Sequence, residues 1–195
     1  TRELAKVTLA MNQMANDLGQ LFEGQAKLIQ HLRKINNEDS ATGLVSRRAF
    51  YQRVRTEVDS KDIYQRGVIA LIQLGEFGQF NHEHGRKQGD LVLRQIAEPI
   101  RTFVGQYPGS FAGRLNGAEF GIFLPGVTAV DGHFWLEELI KTLDGVYSDS
   151  ATGLEVAVYA GVAVVTEASD VDSLRAACDE ALLVARAGAV TRCVL

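Results

Sequence analysis

Apolar residues recur along the first 35 positions at alternating intervals of three and four. Leu4, Val7, Met11, Met14, Leu18, Leu21, Gln25, Leu28, Leu32 and Ile35 form this row, and nine of the ten are apolar. An α-helix turns every 3.6 residues, so this spacing gathers them on one narrow stripe. Five heptads without proline, with Asn, Gln, Lys, Glu and Asp between, predict a parallel coiled coil or helical bundle with the row as its dimer seam. Gln25 weakens that seam but can fix its register. Phe22 and Ile29 form a second row beside it, so the packing geometry is expected to change near residue 22. The competing reading, a long helix folded against its own domain, is disfavoured because one domain rarely needs so long and narrow a stripe.

After the polar break Asn36-Asn37-Glu38 the pattern changes to an α/β rhythm, which divides the chain into residues 1–37 and 38–195. Ser46 to Val58 reads as a helix with Ser46 as its N-cap. Val68 to Leu74 is a nearly continuous apolar run, the pattern of a buried central strand. Glu76 to His84 predicts a short helix. Asp90 to about Glu98 is amphipathic, with Leu93, Ile96, Ala97 and Ile100 on one face and Pro99 expected to end or kink it. Phe111–Leu115 and Phe120–Leu124 flank Asn116-Gly117, a pair favoured where both central residues of a hairpin turn take positive φ. Trp135, Leu136, Leu139, Ile140 and Leu143 mark another helix. Glu155 to Val165 is β-rich but interrupted at Gly161, and Leu174, Cys178, Ala181, Leu182 and Ala185 mark the last helix. The order predicts an α+β, ferredoxin-like sandwich with helices packed on an antiparallel sheet.

The chain has 195 residues, 46% of them hydrophobic, enough for one packed domain and an appendage. Net charge is −4 and no block of Lys and Arg stands out. Nucleic acid is therefore not expected as a partner, because phosphate binding needs clustered cations. Cys178 and Cys193 form no spaced metal motif, and Cys178 falls in an apolar helical pattern. His82 and His84 fall on different sides of a helix, and neither they nor His133 find a third ligand, so no metal site is expected. No apolar run is long enough to span a membrane, which takes about 18 residues or more. The chain opens at Thr1 inside a helical pattern and reads as a soluble fragment of a longer protein.

Six groups of residues stand in a fixed order over about 155 positions. They are Asp39-Ser40-Ala41-Thr42-Gly43-Leu44-Val45-Ser46-Arg47-Arg48-Ala49-Phe50; Asn81 with Gly85 and Gly89-Asp90; Arg114-Leu115 with the pentad Asn116-Gly117-Ala118-Glu119-Phe120; Leu124-Pro125; Gly161-Val162-Ala163; and Ala181 to Arg186. Together they resemble the motifs of the GGDEF family of diguanylate cyclases. The resemblance implies a nucleotidyl cyclase-like antiparallel sheet with helices on both faces. It also implies a chemistry in which two GTP molecules are condensed with divalent metals held on carboxylates. The positions matching those carboxylates are Gln73, Gly75 and Ala118, so a degenerate domain without catalytic residues or a metal is expected. Glu76 and Glu119 adjoin these positions. In extended chain a shift of one residue turns a side chain to the opposite face, so neither is expected to substitute.

Further departures agree. The first signature glycine, which lets backbone approach phosphates, is Asn116 here. The product-inhibition positions are Tyr107 and Ser110, so feedback binding of cyclic di-GMP is not expected there. Asn81 and Asp90 match the residues that read guanine in the family, and Arg186 replaces a Lys able to meet phosphate. A structural alternative makes Asn81 a helix-end cap and Asp90 a carboxylate at a helix N-terminus. Binding of Mg and GTP is expected to be weak or absent.

Glu3-Leu4, Met11-Asn12-Gln13-Met14 and Leu18 resemble the second helix of a HAMP domain, which relays movement from a membrane span. The joint pattern resembles LapD-type receptors, in which HAMP, an inert GGDEF domain and a cyclic di-GMP-binding EAL domain follow one another. That resemblance implies an inactive module on the cytoplasmic side of the bacterial inner membrane. It would form a homodimer through its helix, be followed by an EAL domain in the full-length protein, and dock an active diguanylate cyclase. A GTP-binding allosteric domain and an active cyclase with unusual ligands are the alternatives.

Overall fold

The computed structural model describes residues 2–60, 67–150, 157–188 and 193–195. The chain divides into two units, residues 1–37 and 38–195, each taken by itself. The first is one helix, α1 (Arg2–Asn37). From Leu4 to Leu32 its apolar seam side chains are all exposed, as are Phe22 and Ile29. The side chain of Ile35 lies outside the described residues.

In the second unit, β1 (Val45–Ser46) leads straight into α2 (Arg47–Asp59). Ser46 caps α2 through its hydroxyl, which accepts from the Ala49 N–H. Next come β2 (Gly67–Leu74), α3 (Phe77–His84) and α4 (Arg86–Gly105). The hairpin β3 (Phe111–Asn116) and β4 (Glu119–Pro125) follows, then α5 (Ala129–Ser150), β5 (Val158–Val164), α6 (Val171–Ala187) and β6 (Cys193–Val194). The sheet order is β1-β3-β4-β2-β5-β6. Its four central strands are antiparallel, as expected, but the two-residue strands at both edges pair in parallel and make the sheet mixed.

Alternation along β2 sends Val68, Ala70 and Ile72 to one face, where α4 and α5 pack. Ile69 and Leu71 go to the other face, against Phe50 and Val54 of α2 and Leu174 and Cys178 of α6. Both faces of β2 are therefore dry, which is why the strand reads as a continuous apolar run.

Three local expectations are corrected. Pro99 does not end α4, which runs through it to Gly105. Proline costs one backbone hydrogen bond, and buried Ile96, Ala97, Ile100 and Phe103 hold the helix to the sheet on both sides of it. Gly161 does not interrupt β5 but pairs with Leu71 of β2. The glycine is needed for close approach: a Cβ there would lie 2.1 Å from the Cys178 carbonyl oxygen and 2.5 Å from the Leu182 nitrogen of α6. The hairpin turn is Gly117-Ala118, one residue later than the sequence suggests, because Asn116 pairs across to Glu119. Of the two turn residues only Gly117 has positive φ, at 33°. Glu155 and Val156, expected to open the strand before Val158, lie outside the described residues.

Candidate nucleotide cleft

A cleft of about 720 Å³ opens where β2 ends, between α3, the start of α4, the β3–β4 turn and the end of α6. It gathers Gln73, Gly75, Asn81, Asp90, Arg186 and four members of the pentad, Asn116 to Glu119. Residues up to 113 positions apart in sequence thus share one site, as Arg186 Nη1 donating to Gln73 Oε1 at 3.0 Å shows. The fifth member, Phe120, is fully buried in the core and anchors the turn rather than lining the cleft.

The path from β2 into α3 is tightly held. Leu74 N–H donates to the Ala118 carbonyl at 3.1 Å, and Gly75 N–H to the Ala157 carbonyl at 2.7 Å. The Gly75 carbonyl accepts from the fully buried Tyr147 hydroxyl at 2.7 Å. Burial, then the charge of Glu76, pushes that phenol up to about 12. A Cβ at Gly75 would lie 3.0 Å from the Tyr159 ring and 3.1 Å from the Ala157 carbonyl. Glu76 follows in the left-handed region, at φ 53°, the one non-glycine among the described residues with positive φ.

Glu119 corrects the expectation from parity. It pairs directly opposite Gln73, so the two side chains share a face of the sheet. Ala118 lies in the turn, where strand alternation does not apply. The Glu119 carboxyl is half-buried, and burial and the charge of Asp179 raise its pKa against the pull of Arg175 and Arg47. The cleft therefore holds a carboxylate beside Gln73 that counting along the chain missed. The cross-strand register identifies it.

The residues matched to guanine reading both reach the cleft. The Asn81 carbonyl accepts from Gly85 N–H at 3.0 Å and ends α3. Its side-chain amide lies against Gly89, where an added Cβ would be 1.9 Å from Oδ1. Asp90 is exposed. It stands a full turn inside α4, whose N-cap is Gly85, so it is not a capping carboxylate. Arg114, also in the cleft, donates through Nε to the Gly117 carbonyl at 2.9 Å and pairs with Asp39 at 3.3 Å.

The product-inhibition positions lie elsewhere. Tyr107 stacks on Trp135 with ring centroids 4.4 Å apart, and the Ser110 N–H donates to the Tyr107 carbonyl at 3.1 Å. His84 stacks on Phe80 within α3. His133 lies 3.7 Å from the Cys193 sulfur and 3.6 Å from Glu137. Burial and Glu137 push the Cys193 thiol up to about 12. Among the described residues no three His, Cys, Asp or Glu side chains are grouped to hold a metal ion. Among them also, no helix is long and apolar enough to cross a membrane.

The family model described as diguanylate cyclase, GGDEF domain, matches residues 36–190. The chain therefore belongs to the GGDEF family. It is 32% identical over 124 residues to the diguanylate cyclase DgcP of Escherichia coli, an alignment covering 56% of this chain and 36% of that protein. It spans only 19% to 36% of the length of the first curated relatives it matches. Among solved structures, it superposes on the coiled coil and GGDEF domain of DgcB from Caulobacter crescentus in complex with c-di-GMP. That match has a TM-score of 0.82 at 22% identity and covers 94% of this chain and 98% of that one. It also superposes on Vibrio cholerae LapD S helix-GGDEF-EAL bound to c-di-GMP, with a TM-score of 0.72 at 21% identity, covering 89% of this chain and 40% of that one. At these identities the likeness is one of fold.

Proposed function

We propose that this chain is a catalytically inactive GGDEF module of a membrane-bound cyclic di-GMP receptor. The observation that carries the reading is the chemistry gathered at the end of β2. The three positions matched to metal carboxylates hold Gln73, Gly75 and Ala118, and all three line the cleft. This donor set does not fit a divalent cation. The Gln73 amide oxygen is occupied by the Arg186 guanidinium, Ala118 offers a methyl group, and Gly75 is hemmed by Tyr159 and Ala157. The carboxylates that do line the cleft, Glu76, Asp90 and Glu119, stand at none of these positions, and Glu119 also faces Arg175, Arg47 and Asp179. Mg²⁺ at a phosphate site is held by one or two carboxylates, with waters and substrate phosphates completing its octahedron, and none of the three matched positions supplies one.

Such a module acts through conformation and contact. Its exposed α1 seam pairs with a second copy as a parallel homodimer, and HAMP-like movement upstream turns or slides that pair. The domain presents a folded surface for docking a partner such as an active diguanylate cyclase. In the full-length protein we place this module between a HAMP unit and an EAL domain, on the cytoplasmic side of the bacterial inner membrane. The helix, GGDEF and EAL order of the Vibrio cholerae relative supports the EAL domain downstream, while the HAMP unit and the membrane rest on the sequence resemblance.

The test is incubation of the protein with GTP and either Mg²⁺ or Mn²⁺. No cyclic di-GMP above the enzyme-free blank is expected, and sustained product would overturn the inactive reading. One observation favours a second reading, a GTP-binding allosteric domain: Asn81 and Asp90 both line the cleft, and Asp90 caps no helix. Calorimetric heat with GTP that disappears in Asn81→Ala and Asp90→Ala would establish it. No heat at millimolar nucleotide would remove it.

A further inference from the structure

The sheet is incomplete along β5. On one side β2 pairs with β5 from Val158 to Val164. On the other, β6 reaches only Ala160, opposite Cys193, and Gly161, opposite Val194. The outer edge of Val162–Val164 therefore carries no strand among the described residues. A groove of about 610 Å³ lies along this stretch, between β5 and α6. Val194 and Leu195 line it, as do Ala177, Ala181 and Val184 of α6, and Glu180 is the one charged side chain at its walls. Val164, Val184 and Leu195 are 38%, 55% and 56% exposed. A bare strand edge recruits a further strand by main-chain hydrogen bonding, and this one adds apolar walls.

Direction and register say which strand. The β6 strand runs parallel to β5 and advances one residue for one. Continued in that register, Leu195 and the two residues after it fall opposite Val162, Ala163 and Val164. The start of β6 is fixed, because Cys193 is buried with its sulfur 3.7 Å from His133 of α5. A segment tethered at the groove reaches it as an intramolecular partner, at a high effective concentration that a separate peptide must supply itself. We infer that the segment following Leu195 continues β6 as a parallel strand through this groove. The inference rests on the placement of a further domain downstream. It ties that domain to α6, whose last turn carries Arg186 to Gln73 in the cleft. The cleft and the outgoing chain then share one helix.

The test compares the 195-residue chain with the same chain lengthened by about six residues of its own reading frame, an ordinary strand length. Hydrogen exchange of the Val162–Val164 backbone is expected to slow by about tenfold in the longer chain, the effect of one net hydrogen bond. The thermal midpoint reported by Trp135 fluorescence is expected to rise with it. Val184→Glu sets a charge in the groove at an exposed position of α6. The 195-residue variant should keep its stability, while the longer variant loses the added protection. Equal exchange in the two wild-type chains would overturn the inference and leave the downstream placement standing, as would full protection retained in the longer Val184→Glu chain. A reading frame that stops at Leu195 would overturn both.

Discussion

Asp39 ties the start of the second unit to its hairpin. Its Oδ1 accepts from the Thr42 N–H at 2.9 Å, from the Thr42 hydroxyl at 2.8 Å and from Arg114 Nη1 at 3.3 Å. Burial raises the carboxyl, but the Thr42 hydrogen bonds and the Arg114 charge outweigh it and hold the pKa below the ordinary 3.8. Asp39→Asn is expected to cost about 1–3 kcal/mol at neutral pH, the range for disturbing a charged hydrogen-bond acceptor. Because the folded pKa is depressed, the stabilisation is present above the unfolded value of about 3.9 and lost as pH falls through the folded one. Urea midpoints of wild type and variant should therefore converge in acid. Asp39, Thr42 and Arg114 were legible in the sequence as motif positions, but their contact follows only from the fold. Direction was not legible for Glu119. Its side of the sheet follows from pairing with Gln73, and a count carried from a residue in the turn gives the wrong face.

Elements held by large apolar faces were legible in the same way, because periodicity records which face is buried. The strand β2 and the helices α2 and α6 fall close to the predicted spans. The edge strands β1 and β6 were not legible: two residues each carry no period, and their parallel pairing depends on chain far away. Gly161 shows how one element constrains another. Read as a break, it is the point where the α6 backbone descends on β5, and both atoms nearest an added Cβ are main-chain atoms that cannot rotate aside. Gly161→Ala must lift α6, which buries Leu174, Cys178, Leu182 and Ala185. A loss of about 1–3 kcal/mol is expected, as for other overpacked sites. The check is chemical denaturation, with Gly145→Ala as control because nothing lies within 4 Å of an added Cβ there.

At the scale of the whole molecule, the two units draw their stability from different sources. Residues 38–195 bury two apolar clusters on either side of the sheet and carry their own core. The helix α1 exposes its described apolar seam and contains Gly19 and Gly24, each costing roughly 0.5–1 kcal/mol relative to alanine in a helix interior. Helices without packing partners are marginal in water, so α1 should stay helical by mass action with other copies of itself. Two probes then separate the units. Trp135, the single tryptophan, stacks on Tyr107 in the second unit, and its fluorescence should report a thermal transition independent of protein concentration. Far-ultraviolet circular dichroism should show an additional loss of helix whose midpoint rises with concentration. Gly19→Ala with Gly24→Ala should raise that midpoint and leave the tryptophan transition in place. A single transition, common to both probes and insensitive to concentration, would mean that α1 is stabilised within its own chain.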